Sequence, residues 1–331
     1  MQSSIKYRPR TLDELIGQEK IIRLLRGQYK KKLLPQGMLF QGPKGSGKST
    51  TAKILATSFQ CKHQEKFGNP CVACRKRYSK FPIYTFECSK TSGIDDLKKF
   101  IAKAEYEIVG EGKHKVFILE EAHRLSPQAQ EALLIPTEKM GTNRWIICTT
   151  RPDKIVGTLL SRFRIYTLRV LNRELIAALV RRILTKLKSE LAVDDLTDAL
   201  VDNGITSARL VADAVDNYVA GDSAEDAAMV EGESTIDGKA LIRATIKGVW
   251  PDVAALLQKT TPGDVRLLRS AVINYLRSML LSSESVDPRS RAIAKGIKQL
   301  AYIGHAEDSN QLAALSAELF TLCHLFSGMG L

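Results

Sequence analysis

Long apolar runs are what this 331-residue sequence lacks first. No window approaches the roughly 18 uninterrupted apolar residues that a membrane-spanning helix needs. The positive charges of residues 1–10 are not followed by the apolar stretch of a secretion leader. There is no internal repeat and no polar low-complexity tract, and 44% of the residues are hydrophobic. These absences exclude membrane, fibrous and disordered classes. They leave a soluble cytoplasmic chain, long enough for two or three domains that each bury a core.

Acidic residues are scarce in one half only. Residues 1–165 carry 31 Lys+Arg against 15 Asp+Glu, whereas residues 166–331 carry 18 against 21. A chain with one half facing a polyanion and the other facing protein needs such an asymmetry, because phosphate contacts release counterions and excess charge burdens a packing surface. Solubility alone is the plainer account of the same numbers.

In the first half, short β-branched and apolar runs at Met38–Gln41, Ile83–Glu87, Val116–Leu119, Trp145–Cys148 and Ile165–Leu168 alternate with helical patterns. That alternation predicts a parallel sheet with crossover helices. Beyond Val170 no strand pattern appears. Residues 173–188 and 193–219 repeat apolar positions at three and four and predict a small helical domain, and 221–238 reads as a linker. Leu267, Leu268, Ala271, Val272, Tyr275, Leu276, Met279 and Leu280 form one apolar stripe; Leu312, Leu315, Leu319, Leu322 and Phe326 form another. Both suit a helical bundle.

Residues 42–49 read Gly-Pro-Lys-Gly-Ser-Gly-Lys-Ser, which matches GxxxxGK[ST] between a predicted strand and a predicted helix. Gly42, Gly45, Ser46 and Gly47 let backbone N–H groups turn onto phosphate oxygens at a helix N-terminus. Lys48 then reaches the outer phosphates, Ser49 offers a hydroxyl to Mg²⁺, and Thr50 continues the turn. Val116–Leu119 ends in Glu120 and Glu121: the first carboxylate suits the metal's outer shell, the second polarises an attacking water. Thr149 and Thr150 end another strand, and Thr150 is the candidate sensor of the γ-phosphate. No Asn-Lys-x-Asp segment for reading guanine is present, so ATP is the expected nucleotide.

In this order the pieces resemble the AAA+ ATPases, and in detail their clamp-loader branch, the bacterial gamma/tau-type subunits and the small subunits of replication factor C. The run Tyr7-Arg8-Pro9-Arg10 to Gln18 is similar to the family's opening motif, which packs around adenine. Ser161-Arg162-Phe163 resembles its Ser-Arg-Cys motif, whose arginine reaches the ATP of a neighbouring subunit. Residues 204–210 resemble the helical sensor, with Arg209 as its arginine and more residues than usual between glycine and arginine. The resemblance covers about residues 5–215. It implies an α/β P-loop NTPase (AAA+) domain over 1–168, a helical lid over 169–220 and an all-α collar over 221–331. The family's Asp-Glu pair is Glu120-Glu121 here, and its Ser-Arg-Cys is Ser-Arg-Phe.

Cys61, His63, Cys71 and Cys74 fall where bacterial clamp-loader subunits insert a four-cysteine zinc module over 61–77, with Arg77 at the fourth cysteine position. Three thiolates and an imidazole suit tetrahedral zinc; a metal-free loop of reduced thiols is the alternative. Cys88, Cys148 and Cys323 read as core residues. For DNA, the family's backbone-tracking helix starts match Lys90, Ile94, Lys98, Arg124 and Ser126, which would grip phosphates without reading bases. The resemblance therefore implies a DNA-stimulated ATPase with ATP and Mg²⁺, acting near the nucleoid. Its partners would be other loader subunits in a hetero- or homo-oligomeric, pentameric spiral, a sliding clamp and primed DNA. Two alternatives stay open: a non-hydrolysing structural subunit of the same assembly, or another AAA+ motor for branch migration or helicase loading.

Overall fold

The computed structural model describes residues 6–89, 94–106, 112, 114–138, 141–228, 230, 238–258, 260, 265–281, 288–302 and 311–327. Five strands, β1 (Gly37–Gln41), β2 (Ile83–Glu87), β3 (Val116–Glu120), β4 (Arg144–Thr149) and β5 (Arg164–Thr167), form one parallel sheet in the order β2-β3-β4-β1-β5. Each apolar run of the first half became a strand, shifted by no more than one residue at either end.

The alternation of side chains along the strands builds two cores, as a sheet covered on both faces requires. Met38, Phe40, Val116, Ile118, Ile146 and Cys148 face one layer, against Ala52, Leu55, Ala56 and Phe59 of the helix Lys48–Gln60. Leu39, Phe117, Leu119, Trp145 and Ile147 face the other, against Leu97, Phe100, Leu133 and Leu159. Phe117 stacks on Trp145 at 4.4 Å between ring centroids and takes the edge of Phe100 at 5.4 Å.

The chain divides into two units, residues 1–183 with 207–212, and residues 184–206 with 213–331. The pattern predicted as continuous over 193–219 is two helices, Val193–Asp202 and Ala208–Ala220. Asn203 closes the first, and Gly204 follows in the left-handed region at φ 67°, where a helix cannot continue. Within 221–238, Ser223 caps a short helix, Ala224–Ala227, and residues 229 and 231–237 lie outside the described residues. In the second unit, Leu268, Val272, Leu276, Leu315, Leu319, Leu322 and Phe326 share one buried cluster, so both apolar stripes meet in a common core.

Phe117→Ala removes a ring packed on three aromatic neighbours, Tyr84, Phe100 and Trp145. We expect a loss of about 3–5 kcal/mol in the first unit, measured as a lowered urea midpoint followed by tryptophan fluorescence.

Candidate nucleotide-binding site

Parallel pairing sets the geometry of the site. Gln41 is level with Thr149, and Leu119 is level with Ile147, so β1, β4 and β3 end side by side at the carboxyl edge of the sheet. From those three ends emerge residues 42–47, Thr149 with Thr150, and Glu120 with Glu121. Ligand crevices of open α/β sheets form at such an edge.

The phosphate loop needs glycine for a visible reason. Gly45 has φ 75°, and a Cβ there would collide with the side chain of Ser207. Ser207 lies just before the helix Ala208–Ala220, so the stretch that carries Arg209 begins against the loop; Arg209 itself is exposed. Gly47, also left-handed, caps the helix Lys48–Gln60. Lys48 is buried, and its Nζ donates to the carbonyls of Gly42 and Pro43 at 2.8 Å each. Burial pulls its titration down, and the charge of Glu121 opposes that shift. Ser49 and Thr50 are half-buried in the helix's first turn, and Ser46 Oγ is buried without a hydrogen-bond partner. Tyr7 is buried, Pro9 half-buried and Arg8 exposed.

Glu120 Oε1 is buried and 3.2 Å from Lys53 Nζ, and apart from that ammonium it has no hydrogen-bond partner. Glu121 occupies the left-handed region at φ 56°, a conformation that costs a residue with a Cβ of order 1 kcal/mol or more and persists only where its surroundings enforce it. Those surroundings are polar: Thr150 Oγ1 donates to Glu121 Oε2 at 3.5 Å, and His123 Nδ1 is 3.5 Å from the same oxygen. Thr149 Oγ1 accepts the N–H of Arg151 at 3.0 Å and lies 3.2 Å from His123 Nδ1. Burial lowers the His123 titration against the pull of Glu121.

The remaining candidates divide between the two edges of the sheet. Ile94 opens the helix Ile94–Ala102 after β2, with exposed Lys98 on it. Arg124, also exposed, ends a 3-10 turn after β3, and Ser126 caps the helix Pro127–Ala132, accepting from Ala129 N–H at 3.2 Å. These belong to the carboxyl edge; Lys90 lies outside the described residues. Arg162 precedes β5 and so sits at the amino edge. Its Nη1 donates to the Thr158 carbonyl, and its Nη2 to Glu138 at 3.3 Å.

Cys61, His63, Cys71 and Cys74 bring their ligand atoms within 4.8 Å of one another, between the helix Lys48–Gln60 and β2. A tetrahedral zinc with bonds of about 2.0–2.3 Å needs donors slightly closer than that, and its donor chemistry is met. The thiols are unequal: the backbone N–H of Cys74 pulls Cys71 down to about 7, while burial pushes Cys74 up to about 12. Four residues that sequence reasoning did not place around the nucleotide stand here, namely Lys53, Tyr78, His123 and Ser207. Burial and the Glu120 charge push the Tyr78 phenol upward in titration. Lys53 lies four residues beyond Ser49, a helical spacing that could have marked it; the other three carried no such signal.

The His123 environment has a pH signature. Its folded titration lies below the unfolded value near 6.5, so the unfolded chain takes up a proton that the folded chain refuses, and stability falls as pH drops through that range. We expect His123→Asn to lose less stability than the parent between pH 7.5 and 5.5, read from urea midpoints.

Comparison with known proteins agrees with this geometry. The family model for the DNA polymerase III delta subunit matches residues 17–172. The DNA polymerase III subunit gamma/tau of Mycoplasma pneumoniae is 33% identical over 200 residues, covering 59% of this chain and 29% of that protein. Subunit tau of Bacillus subtilis is 27% identical over 287 residues, covering 83% and 51%. The chain thus spans between about a third and a half of the length of such relatives. Among solved structures, the Thermotoga maritima RuvB Holliday junction branch migration motor superposes with a TM-score of 0.51 at 20% identity, over 85% of this chain and 93% of that one, a likeness of fold alone. With the phosphate loop, the carboxylate strand and the sheet order in place, residues 17–172 are similar to DNA polymerase III delta and gamma/tau subunits.

Proposed function

We propose that this chain is an ATP-hydrolysing subunit of a clamp loader, which opens a sliding clamp and places it on primed DNA. The observation that carries the reading is the division of labour between the two edges of the sheet. Gly42 to Thr50, Glu120, Glu121 and Thr150 gather at the carboxyl edge, whereas Arg162 stands at the amino edge, a strand length of about 15 Å away at ~3.3 Å per residue. An arginine so placed does not serve its own chain's phosphates. It suits a neighbour's, where a guanidinium neutralises charge spreading over the γ-phosphate and ties hydrolysis to assembly.

The residues divide the work in a physically consistent way. Backbone N–H groups from Gly45 to Lys48 and the helix behind them receive phosphate oxygens, and Lys48 leaves its carbonyl partners for the outer phosphates. Ser49 and Glu120 would hold Mg²⁺, which would offset phosphate charge there, and the buried Glu120 Oε1 fits an outer-shell role. Glu121, pinned between Thr150 and His123, orients the attacking water. Tyr7, Arg8 and Pro9 would frame adenine, and Arg209, two residues beyond the Ser207 that lies against Gly45, would sense the γ-phosphate. The Cys61, His63, Cys71 and Cys74 set would hold structural zinc. Lys98, Arg124 and the backbone at Ile94 and Ser126, with Lys90, would track primed DNA inside an oligomeric spiral, pentameric as in the family, in the cytoplasm near the nucleoid. No helix among the described residues is long and apolar enough to cross a membrane.

A second reading, a subunit of the same assembly that binds nucleotide without hydrolysing it, has one observation in its favour: Lys53 already neutralises Glu120. Steady-state hydrolysis by the oligomer separates the two. We expect Lys48→Ala to abolish nucleotide binding, and Glu121→Gln to keep binding while hydrolysis falls at least about a hundredfold. Arg162→Ala is expected to lower hydrolysis by about a thousandfold without weakening nucleotide binding to the isolated chain. Undiminished hydrolysis after Arg162→Ala overturns the shared-site reading, and a parent protein inert with primed DNA and clamp favours the second.

Metal content is a separate check. Native mass measurement is expected to find one zinc per chain, lost in Cys74→Ser.

A further inference from the structure

A basic surface is built by two segments whose exposed cations are assigned above neither to nucleotide nor to duplex. Residues 29–36 and 61–82 together hold nine Lys or Arg and a single acidic residue, Glu65. Lys30, Lys31 and Lys32 end the helix Glu19–Lys30 and the turn that leads into β1, while Lys62, Lys66, Arg75, Lys76, Arg77 and Lys80 belong to the segment that leads into β2. Lys30, Lys31, Lys32, Lys62, Lys66, Lys76 and Lys80 are exposed, and among the described residues none of these seven has an ion-pair partner. These seven cations are therefore placed on exposed positions of the two segments.

The two segments form one platform. Leu12 N–H donates to the Gly68 carbonyl at 2.8 Å, and Arg26 donates to the Phe67 carbonyl at 3.0 Å and to Asn69 at 3.2 Å. Asp13 closes the arrangement by pairing with Arg26 at 2.7 Å and with Asn69 at 2.6 Å, and these contacts pull its carboxyl below the usual range, the Arg26 hydrogen bond first. Gly68 has no room for a side chain, since a Cβ at its φ of 92° would run into Leu12. The cysteine segment is thus fixed to the helix rather than tethered to it, which lowers the entropy cost of presenting its cations to a ligand.

At the joint sits an aromatic. Tyr29 stacks on Phe67 with ring centroids 4.1 Å apart and planes 10° from parallel, yet it remains 48% exposed, and Leu33 nearby is 68% exposed. A tyrosine backed by a second ring, half open to solvent, with Lys30 to Lys32 on one side and Lys66 next to its partner, combines the two elements of single-strand binding: cations for the backbone and a π face for a base. Duplex offers phosphates but keeps its bases stacked, and an acidic polypeptide offers charge without bases, so the exposed ring favours a single strand over both.

We propose that this surface binds single-stranded nucleic acid, independently of the nucleotide site and of the helix starts assigned to duplex. The test uses the full chain and a fluorescein-labelled 20-nucleotide oligo-dT, with binding followed by anisotropy at two or more salt concentrations. Lys31→Glu, Lys62→Glu, Lys66→Glu and Lys76→Glu combined are expected to weaken binding at least tenfold and to flatten its salt dependence, by about 0.7 in log–log slope for each phosphate that the variant no longer engages. Tyr29→Ala is expected to weaken it about fivefold or more at unchanged salt slope. Binding of a fluorescent ATP analogue by both variants serves as the folding control, and Lys48→Ala should bind the oligonucleotide like the parent, so that failure of the ATPase reading leaves this result standing. Unchanged affinity in either surface variant overturns the proposal. So does tighter binding of a blunt 20-base-pair duplex or of a labelled poly-glutamate, which would assign the surface to duplex or to an acidic protein.

Discussion

The parallel register between β3, β4 and β1 is the constraint from which the rest follows. Because Gln41 is level with Thr149 and Leu119 with Ile147, three chain segments distant in sequence leave the sheet at one height. A phosphate loop, a carboxylate pair and a hydroxyl pair then share a crevice without any of them having to reach for the others. One residue of slippage in β3 would turn Phe117 and Leu119 to the wrong core and carry Glu121 out of line with Thr150. The two aromatic and aliphatic layers that fix this register therefore act on the chemistry as well as on stability.

A parallel sheet also has two unlike edges, and this chain uses both. The carboxyl edge collects the groups suited to phosphate and metal. The amino edge holds Arg162, beside Glu138. In the proposed assembly such polarity would set one molecule's arginine against the next molecule's nucleotide, since like edges do not need to meet.

Strain and charge at the crevice are supported by specific neighbours. Glu121 holds a left-handed backbone that few residues with a Cβ adopt, and Thr150 and His123 are what meets its carboxylate. Glu120 is steadied by Lys53, an ion pair with the Glu120 side chain only 17% exposed, in which loss of one partner would leave a charge in a partly desolvated place. The longer carboxylate at position 120 thus comes with a cation able to hold it, a pairing in which the substitution and its surroundings are mutually adjusted.

Much of this was written in local patterns. Period-two and apolar runs located the five strands, because the three central ones must bury both faces, and the GxxxxGK[ST] spacing located the loop, because that spacing lets backbone amides converge ahead of a helix. Local pattern failed where the deciding neighbour was distant. Nothing near Val193–Val219 announced that Ser207 would lie against Gly45, although Asn203 and Gly204 mark the break between its two helices, and nothing around His123 told of Thr149, twenty-six residues on. Likewise, the lysines of 30–32 and of 62–80 are two unremarkable charge runs in the sequence. Only the stacking of Tyr29 on Phe67 makes them one surface, because contiguity in space is a property of packing and not of order along the chain.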